Sequence, residues 1–495
     1  MQLKIKLLKW SAGLPVAMLN AETAEEIGLH AQDMISIRTM GRNPIEVAAV
    51  IDVIKTLIDK DEIAVSSELK ERLNLRVGDK VEVNMMNPPK SMDYIKKKMD
   101  NKVLSGKEIE AIISDVVNNS LSDPEIALFI SSMEKYGMNM NEVVSLIKAI
   151  QKTGSEMSFR GKFIVDKHSI GGIPGNRTTP LVVSICAAAG LIFPKNSSRA
   201  ITSAAGTADV IETVANVDFS IPELKKIIKK VGAFMVWGGT IGLVPADSKI
   251  IRIEKTLKID PHAQLLASIM SKKLAAGSKY ILIDIPYGPN AKVTKKEALK
   301  LKREFEFLGK KFKRKLNCVL TDGSQPIGNG IGPALELLDI IRILNPKEQG
   351  PADLEKKSLF LAGKIFEMTN KAKKSQGFEM AKDILYSGKA LKKFGEIIKA
   401  QGGNLKKLEK IEKSFTHDIL SKKSGKISKI NNSGINSLAR AAGCPLDKFS
   451  GVYLHVHLKD KVKKGQKLFT IYAESKSRIK IAKEYYKRTK PITIK

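Results

Sequence analysis

Four stretches of this chain concentrate Gly, Ser, Thr and isolated charges in patterns that a hydrophobic core has no use for. The first is Asp166-Lys167-His168-Ser169-Ile170-Gly171-Gly172-Ile173-Pro174-Gly175-Asn176-Arg177-Thr178-Thr179-Pro180, set after the apolar run Phe163-Ile164-Val165 and before an apolar helix. Glycines let backbone N–H groups approach an anion, hydroxyls add donors, Lys167 adds charge and the helix N-terminus adds a dipole, so the stretch can cradle an anion. It is not a Walker loop, because the GxxxxGK[ST] order is missing. An ordinary turn fits a bare glycine-rich loop equally well. The second stretch is Ser197-Ser198-Arg199-Ala200-Ile201-Thr202-Ser203-Ala204-Ala205-Gly206-Thr207-Ala208-Asp209-Val210-Ile211-Glu212. In the third, Asp260-Pro261 precedes a helical run on which Ser268 and Lys272, four apart, share one face. Its bland account is an Asp N-cap with Pro261 at the first helical position, followed by solvated polar residues. The fourth, Tyr287-Gly288-Pro289-Asn290-Ala291-Lys292-Val293, is a Gly/Pro loop after the apolar strand 280–285.

The second stretch matches, at every specified position, the signature S-[GS]-R-[GA]-[LIV]-x-x-[TA]-[GA]-G-T-x-D-x-[LIV]-E of the thymidine and pyrimidine-nucleoside phosphorylases. The Lys-His-Ser-x-Gly-Gly order at 167–172 is theirs as well. The chain resembles that family from about residue 91 to its C-terminal part, and resembles most its archaeal, AMP-phosphorolysing branch, in which an N-terminal barrel precedes the rest. The resemblance implies inorganic phosphate held by Lys167, Ser169, Ser197 and Thr207, with Thr179 standing where nucleoside enzymes have serine. It implies base contacts from Ser268 and Lys272, a proton-donor role for Asp260 and a supporting one for His168. Arg252 lies one position from where nucleoside enzymes keep a pyrimidine-reading arginine. At the fourth stretch nucleoside-cleaving relatives carry an aromatic residue, and this chain offers Lys292. A cation there pairs with a 5′-phosphate and gains nothing from a 5′-hydroxyl. Gly172, Ser198, Arg199, Ala200, Ile201, Thr202, Ser203 and Thr207 complete the nucleotide contacts so implied. The expected reaction is phosphorolysis of a nucleoside 5′-monophosphate, AMP and phosphate giving adenine and ribose 1,5-bisphosphate, in nucleotide salvage, with CMP and UMP as further substrates. Phosphate is a co-substrate, and no metal or cofactor is implied.

These residues need a scaffold. The resemblance implies an α/β multidomain fold: a helical domain facing a larger α/β domain across a cleft, with a C-terminal β-rich, barrel-like part. The expected boundaries are 1–86 for an N-terminal barrel, 91–155 plus 245–278 for the helical domain, 160–244 plus 279–420 for the phosphate-binding α/β domain, and 424–495 for the last. The barrel expectation rests on an internal repeat in which residues 19–37 lie over 65–83: a polar cap, a short amphipathic helix, a turn, then an alternating strand. Two such halves complete one another's sheet, as in a double-psi-like barrel. Asn87-Pro88-Pro89-Lys90 reads as a linker. Ser105 before Glu108 and Ser122 before Pro124 mark helix starts. Strands are expected at 163–165, 234–237, 280–283 and 317–320, with helices at 180–190, 222–231, 262–276, 296–313 and 332–344. Alternating strands follow at 426–430, 452–458 and 467–472.

Composition sets outer limits. The 495 residues carry 84 Lys+Arg and 52 Asp+Glu, a net charge of +32, with 43% hydrophobic residues. That excess invites a nucleic-acid reading, yet the lysines are dispersed as helix-face pairs such as Lys225-Lys226, Lys229-Lys230 and Lys272-Lys273, and aromatic residues are only 5%, too few for a stacking platform. Three cysteines without a CxxC pair suit a reducing compartment, and no stretch is long and apolar enough for a signal or a membrane span. The expectation is a cytoplasmic enzyme whose partners are nucleotide, phosphate and further copies of the chain, as a homodimer or larger. Three alternatives stay open: a thymidine or pyrimidine-nucleoside phosphorylase, an anthranilate-type phosphoribosyltransferase, which shares the fold and a similar Ser/Gly/Thr motif but needs acidic residues for magnesium, and nucleic-acid binding through the basic N-terminal part.

Overall fold

The computed structural model describes residues 1–495 apart from Lys9, Asn87, Ile201, Thr202, Thr240 and Ile241. Ile201 and Thr202, expected to touch the nucleotide, and Asn87 of the expected linker thus lie outside the described residues. By compactness the chain divides into one unit of residues 1–153 with 244–268 and another of 154–243 with 269–495.

The first unit opens with six strands, β1 (Gln2–Leu7), β2 (Val16–Asn20), β3 (Met34–Thr39), β4 (Glu46–Ile54), β5 (Glu62–Val65) and β6 (Lys80–Met85), closed in the order β1-β5-β2-β4-β3-β6. Alternation turns Leu3, Ile5, Ala17, Leu19, Ile35, Ile37, Val81 and Val83 into one core, and closure leaves no edge unpaired. The repeat appears as a two-fold correspondence. The parallel pair β1·β5 has its counterpart in β2·β4, and the antiparallel pair β1·β6 in β3·β4. The turns before β3 and β6 are alike too: the Asp33 carboxylate accepts the His30 N–H and the Asp79 carboxylate that of Arg76, each at 2.7 Å.

Besides the short helices Ala21–Glu26 and Ser67–Leu73 between the strands, this unit holds helices Ser91–Met99, Gly106–Asn118, Asp123–Tyr136, Met140–Lys152 and Pro245–Leu257 and the start of His262–Ala275. Ser105 and Ser122 each form a capping box with the glutamate three residues on, so both expected helix starts are present. Buried Glu142 ion-pairs with buried Lys98 at 3.0 Å and also accepts the Leu104 N–H, which satisfies a charge pair taken out of water.

The second unit is built on five parallel strands: β7 (Val165–Ser169), β8 (Phe193–Ser197), β9 (Ala233–Trp237), β10 (Tyr280–Tyr287) and β11 (Lys315–Asp322). They pair as β11-β10-β7 and β8-β9, and the bridge between Ile164 and Ile192 ties β7 to β8. Parallel neighbours need crossovers, supplied by helices such as Thr178–Ala188, Ile221–Val231 and Lys295–Lys311. The strand expected at 163–165 runs instead from Val165 through Ser169. Its polar residues are strand residues, buried by ion pairing and not by apolar character. Helices Ala352–Met368, Gly377–Tyr386 and Lys389–Ala400, absent from the sequence reading, pack in the same unit.

Residues beyond 414 contribute to a four-stranded and a three-stranded sheet and add helices Asn432–Ala442 and Lys476–Thr489 around Ile435, Leu438, Phe469 and Ile471. The strand expected at 452–458 stops at Leu454, because the Asp460 carboxylate accepts the His457 N–H at 2.7 Å and turns the chain. Among the described residues no helix is long and apolar enough to cross a membrane.

Candidate active site

The carboxyl ends of β7 and β8 gather the first two motifs, the place where open parallel sheets bind ligands. On β7, alternation puts Lys167 and Ser169 on one face and Asp166 and His168 on the other. Lys167 is 1% exposed and donates from Nζ to Thr178 Oγ1 at 2.6 Å, so the hydroxyl beside it is Thr178, while the expected Thr179 is the next, buried residue of the same helix. Burial pushes the Lys167 ammonium down to about 7, Asp284 pulls it back up, and Lys357 and Arg177 push with burial. Asp284 stands opposite Ser169 in the β10 register. It accepts from Thr321 Oγ1 at 2.6 Å and lies 3.1 Å from Lys357 Nζ. Burial works to raise its carboxyl, but Lys357 and Lys167 prevail and hold it below the ordinary range.

On the other face, buried Asp166 is shared by two buried lysines, Lys195 at 3.1 Å and Lys273 at 2.7 Å. Lys195 also donates to the Lys167 carbonyl at 2.7 Å. The pair Lys272-Lys273, read from sequence as a solvated face, therefore splits, since Lys273 is 1% exposed. Loss of solvent, reinforced by Lys273, Lys195, Lys272 and Lys167, holds His168 well below the ordinary histidine range, so its ring is neutral at pH 7.

Arg177, which sequence reasoning passed over, joins the two motifs. Its three guanidinium nitrogens donate to Glu336 at 2.6 Å, Thr207 Oγ1 at 2.9 Å and the Ala205 carbonyl at 2.7 Å. In the second motif the Asp209 carboxylate accepts the N–H groups of Ala200 and Gly206 at 2.7 and 2.8 Å and ties those two residues together. Gly206 is required there: a Cβ would meet the Ser198 carbonyl oxygen at 2.4 Å. The Arg199 guanidinium is engaged by Glu212 and stacks 4.7 Å from the Trp237 ring. Ser203 donates to the Ala205 carbonyl and accepts Arg440 on its own carbonyl. At the end of β8, the Ser197 hydroxyl and both polar atoms of the Asn196 side chain are buried without a hydrogen-bond partner among the described residues. Such groups are costly unless a ligand completes them, which suits a polar anion at this edge. Ser169 accepts from Asn176 at 3.3 Å.

The fourth stretch comes to the first. Gly172, at φ +89°, lies so close to Lys292 that a Cβ would sit 2.9 Å from its Cβ and 3.2 Å from its backbone nitrogen. Gly172 and exposed Lys292, candidates chosen from stretches 120 positions apart, are thus immediate neighbours. Asp260 is exposed and follows Lys258, a left-handed residue (φ 58°) that ends helix Pro245–Leu257. The next helix is His262–Ala275, and its first turn is closed on the Pro261 carbonyl, which accepts the Leu265 N–H at 2.9 Å. That places Asp260 ahead of the capping position. Half-buried Ser268 and Lys272 stand one turn apart on that helix. Among the described residues, no three His, Cys, Asp or Glu side chains are grouped to hold a metal ion.

Comparison with known proteins adds three family matches: the glycosyl transferase family's helical bundle domain over residues 92–154, its a/b domain over 161–391, and the pyrimidine nucleoside phosphorylase C-terminal domain over 426–493. Curated relatives match along the whole chain. An AMP phosphorylase of Thermococcus kodakarensis is 44% identical, covering 100% of this chain and 98% of the relative. One of Pyrococcus horikoshii is 46% identical at the same coverage, and one of Methanococcus aeolicus is 41% identical over 99% of this chain and 97% of the relative. Among solved structures, an anthranilate phosphoribosyltransferase of Thermus thermophilus superposes with TM-score 0.51 at 17% identity, covering 63% of this chain and 99% of that one, a likeness of fold alone.

Proposed function

The chain belongs to the AMP phosphorylases of the glycosyl transferase family, and from that premise we infer that it cleaves AMP with inorganic phosphate, releasing adenine and ribose 1,5-bisphosphate. The observation that carries the reading is the end-to-end likeness to AMP phosphorylases, N-terminal barrel included. The placing of a lysine against the phosphate loop supports it. Lys167, Ser169, Thr179, Ser197 and Thr207 hold phosphate in line with C1′, with Thr178 and Arg177 orienting the lysine and the Thr207 hydroxyl. A phosphate oxygen forms the new bond to C1′ as the bond from C1′ to the base nitrogen breaks, and alignment supplies much of the rate. The electron pair leaves with the base, and Asp260 gives the base a proton, at N7 for a purine. Lys292 pairs with the 5′-phosphate. Gly172, the loop from Ser198 through Ser203, and Thr207 surround the nucleotide, and Ser268 and Lys272 meet the base. His168, neutral, serves as a hydrogen-bonding support.

Arg199 contributes to the nucleotide site in this reading through its backbone, because its guanidinium is held by Glu212. Three buried cysteines without disulfides fit a cytoplasmic enzyme, working as a homodimer or larger assembly. Base release from AMP, CMP, UMP, adenosine and thymidine, each with and without phosphate, tests the reading. AMP turnover that depends on phosphate is expected, and turnover of thymidine alone would overturn it. Asp260→Asn should cut kcat for AMP by about 10²-fold or more, the usual contribution of a positioned acid; unchanged kcat removes the proton-donor role.

A further inference from the structure

Asn432 opens helix Asn432–Ala442 of the C-terminal part and is 1% exposed. Its amide nitrogen donates to two carbonyl oxygens, Asn290 and Gly323, each at 2.9 Å. Two carbonyls at that range fix the amide orientation, because the flipped side chain would set oxygen against oxygen. Asn290 is two residues before Lys292. Gly323 is where three segments meet: a Cβ there would lie 2.9 Å from Ile173 of the phosphate loop, 3.0 Å from Ala291 and 3.2 Å from Pro286. One buried side chain therefore binds the Lys292 loop to the segment on which the phosphate loop rests. Farther along the same helix, Asn436 Oδ1 accepts the Ala204 N–H at 3.1 Å and Arg440 donates to the Ser203 carbonyl at 3.2 Å.

We propose that Asn432 is a positioning residue for nucleotide recognition, setting the Lys292 backbone against the phosphate loop through its paired bonds to Asn290 and Gly323. The proposal rests on the 5′-phosphate role of Lys292. A long lysine can reach a phosphate from many backbone positions, so the paired bonds cut the freedom lost on binding. In this role Asn432 acts through the loop, by its bonds to the Asn290 and Gly323 carbonyls.

A double-mutant cycle on AMP kinetics tests this. Asn432→Ala should raise KM for AMP about tenfold and leave KM for phosphate within about twofold. In a Lys292→Ala background the same change should add less than about twofold. Gly323→Ala, which crowds the same three segments from within the α/β part, should reproduce the rise in KM for AMP even if Asn432→Ala folds poorly. If Lys292→Ala impairs AMP kinetics and Asn432→Ala is either silent or additive with it, the positioning role is overturned while the 5′-phosphate reading stands. If Lys292→Ala itself leaves AMP kinetics at wild type, that reading fails and the proposal fails with it. Equal rises in KM for AMP and for phosphate in Asn432→Ala would mark a purely structural role and overturn the proposal.

Discussion

Lys167 has exchanged water for the Thr178 hydroxyl, the Asp284 carboxylate on the neighbouring strand and several like charges, and its behaviour with pH follows from that. In the proposed phosphate-binding role only its protonated form attracts phosphate, and burial holds it at about 7. kcat/KM for phosphate should therefore be level below that pH and fall about tenfold per unit above it. A profile flat to pH 9 would rule Lys167 out as the phosphate cation. For stability the sign is opposite to that of an ion-paired lysine, whose folded-state pKa is raised. The folded-state pKa lies below the unfolded value of 10.5, so the unfolded chain binds the extra proton between about 7 and 10.5. The contribution of this group is complete above 10.5 and is lost as pH falls toward 7. At this scale the sequence was half readable. Lys167, Gly172 and Lys292 stood out by motif and departure from motif, whereas Lys195, Lys273 and Lys357 were hidden among 84 basic residues that mostly coat helix faces. Arg177 was invisible for another reason: its partner Glu336 is 159 positions away, and no local spacing reports such a pair.

Elements were legible where periodicity and burial agree. The capped helices and the apolar strands β9 and β10 follow from pattern. β7 and β8 do not, because Asp166-Lys167-His168-Ser169 and Phe193-Pro194-Lys195-Asn196-Ser197 bury polar groups through ion pairs and hydrogen bonds, and pattern rules read that as loop. Two glycines test what the elements require. Gly206 lies under the Ser198–Ala200 backbone, with carbonyl oxygen at 2.4 Å and amide nitrogen at 2.8 Å from a Cβ position. Gly206→Ala should cost about 1–3 kcal/mol of overpacking and lower kcat/KM for AMP at least about tenfold as the loop is displaced. Gly395, inside helix Lys389–Ala400, has nothing within 4 Å of its Cβ position. Gly395→Ala should stabilise by about 0.5–1 kcal/mol with kinetics unchanged. Chemical denaturation beside steady-state kinetics reads both, and destabilisation by Gly395→Ala or a neutral Gly206→Ala would contradict the geometry.

For the whole molecule, the charge of +32 is a property of the surface more than of the site. On helix Ile221–Val231, Lys225, Lys226, Lys229 and Lys230 are all exposed while Leu224, Ile227, Ile228 and Val231 are buried. Dispersed cations bind a polyanion without register, so retention on duplex DNA should be weak and disappear between about 50 and 200 mM salt while phosphorolysis persists. Tight retention at the upper salt concentration would restore a nucleic-acid role.

The closed strand order of the N-terminal barrel also governs how the chain can be made. Taking β1–β3 and β4–β6 as its halves, every neighbour in β1-β5-β2-β4-β3-β6 comes from the other half, so no strand pairs within its own. During synthesis β3 can pair with β4 as soon as that strand follows it, whereas β1 has no partner until β5 emerges, and its other neighbour is the last strand, β6. The pairs β1·β5 and β1·β6 are non-local, and such pairing is slow to nucleate. The alternating apolar face of β1 stays uncovered throughout that interval, which exposes this strand to aggregation during synthesis.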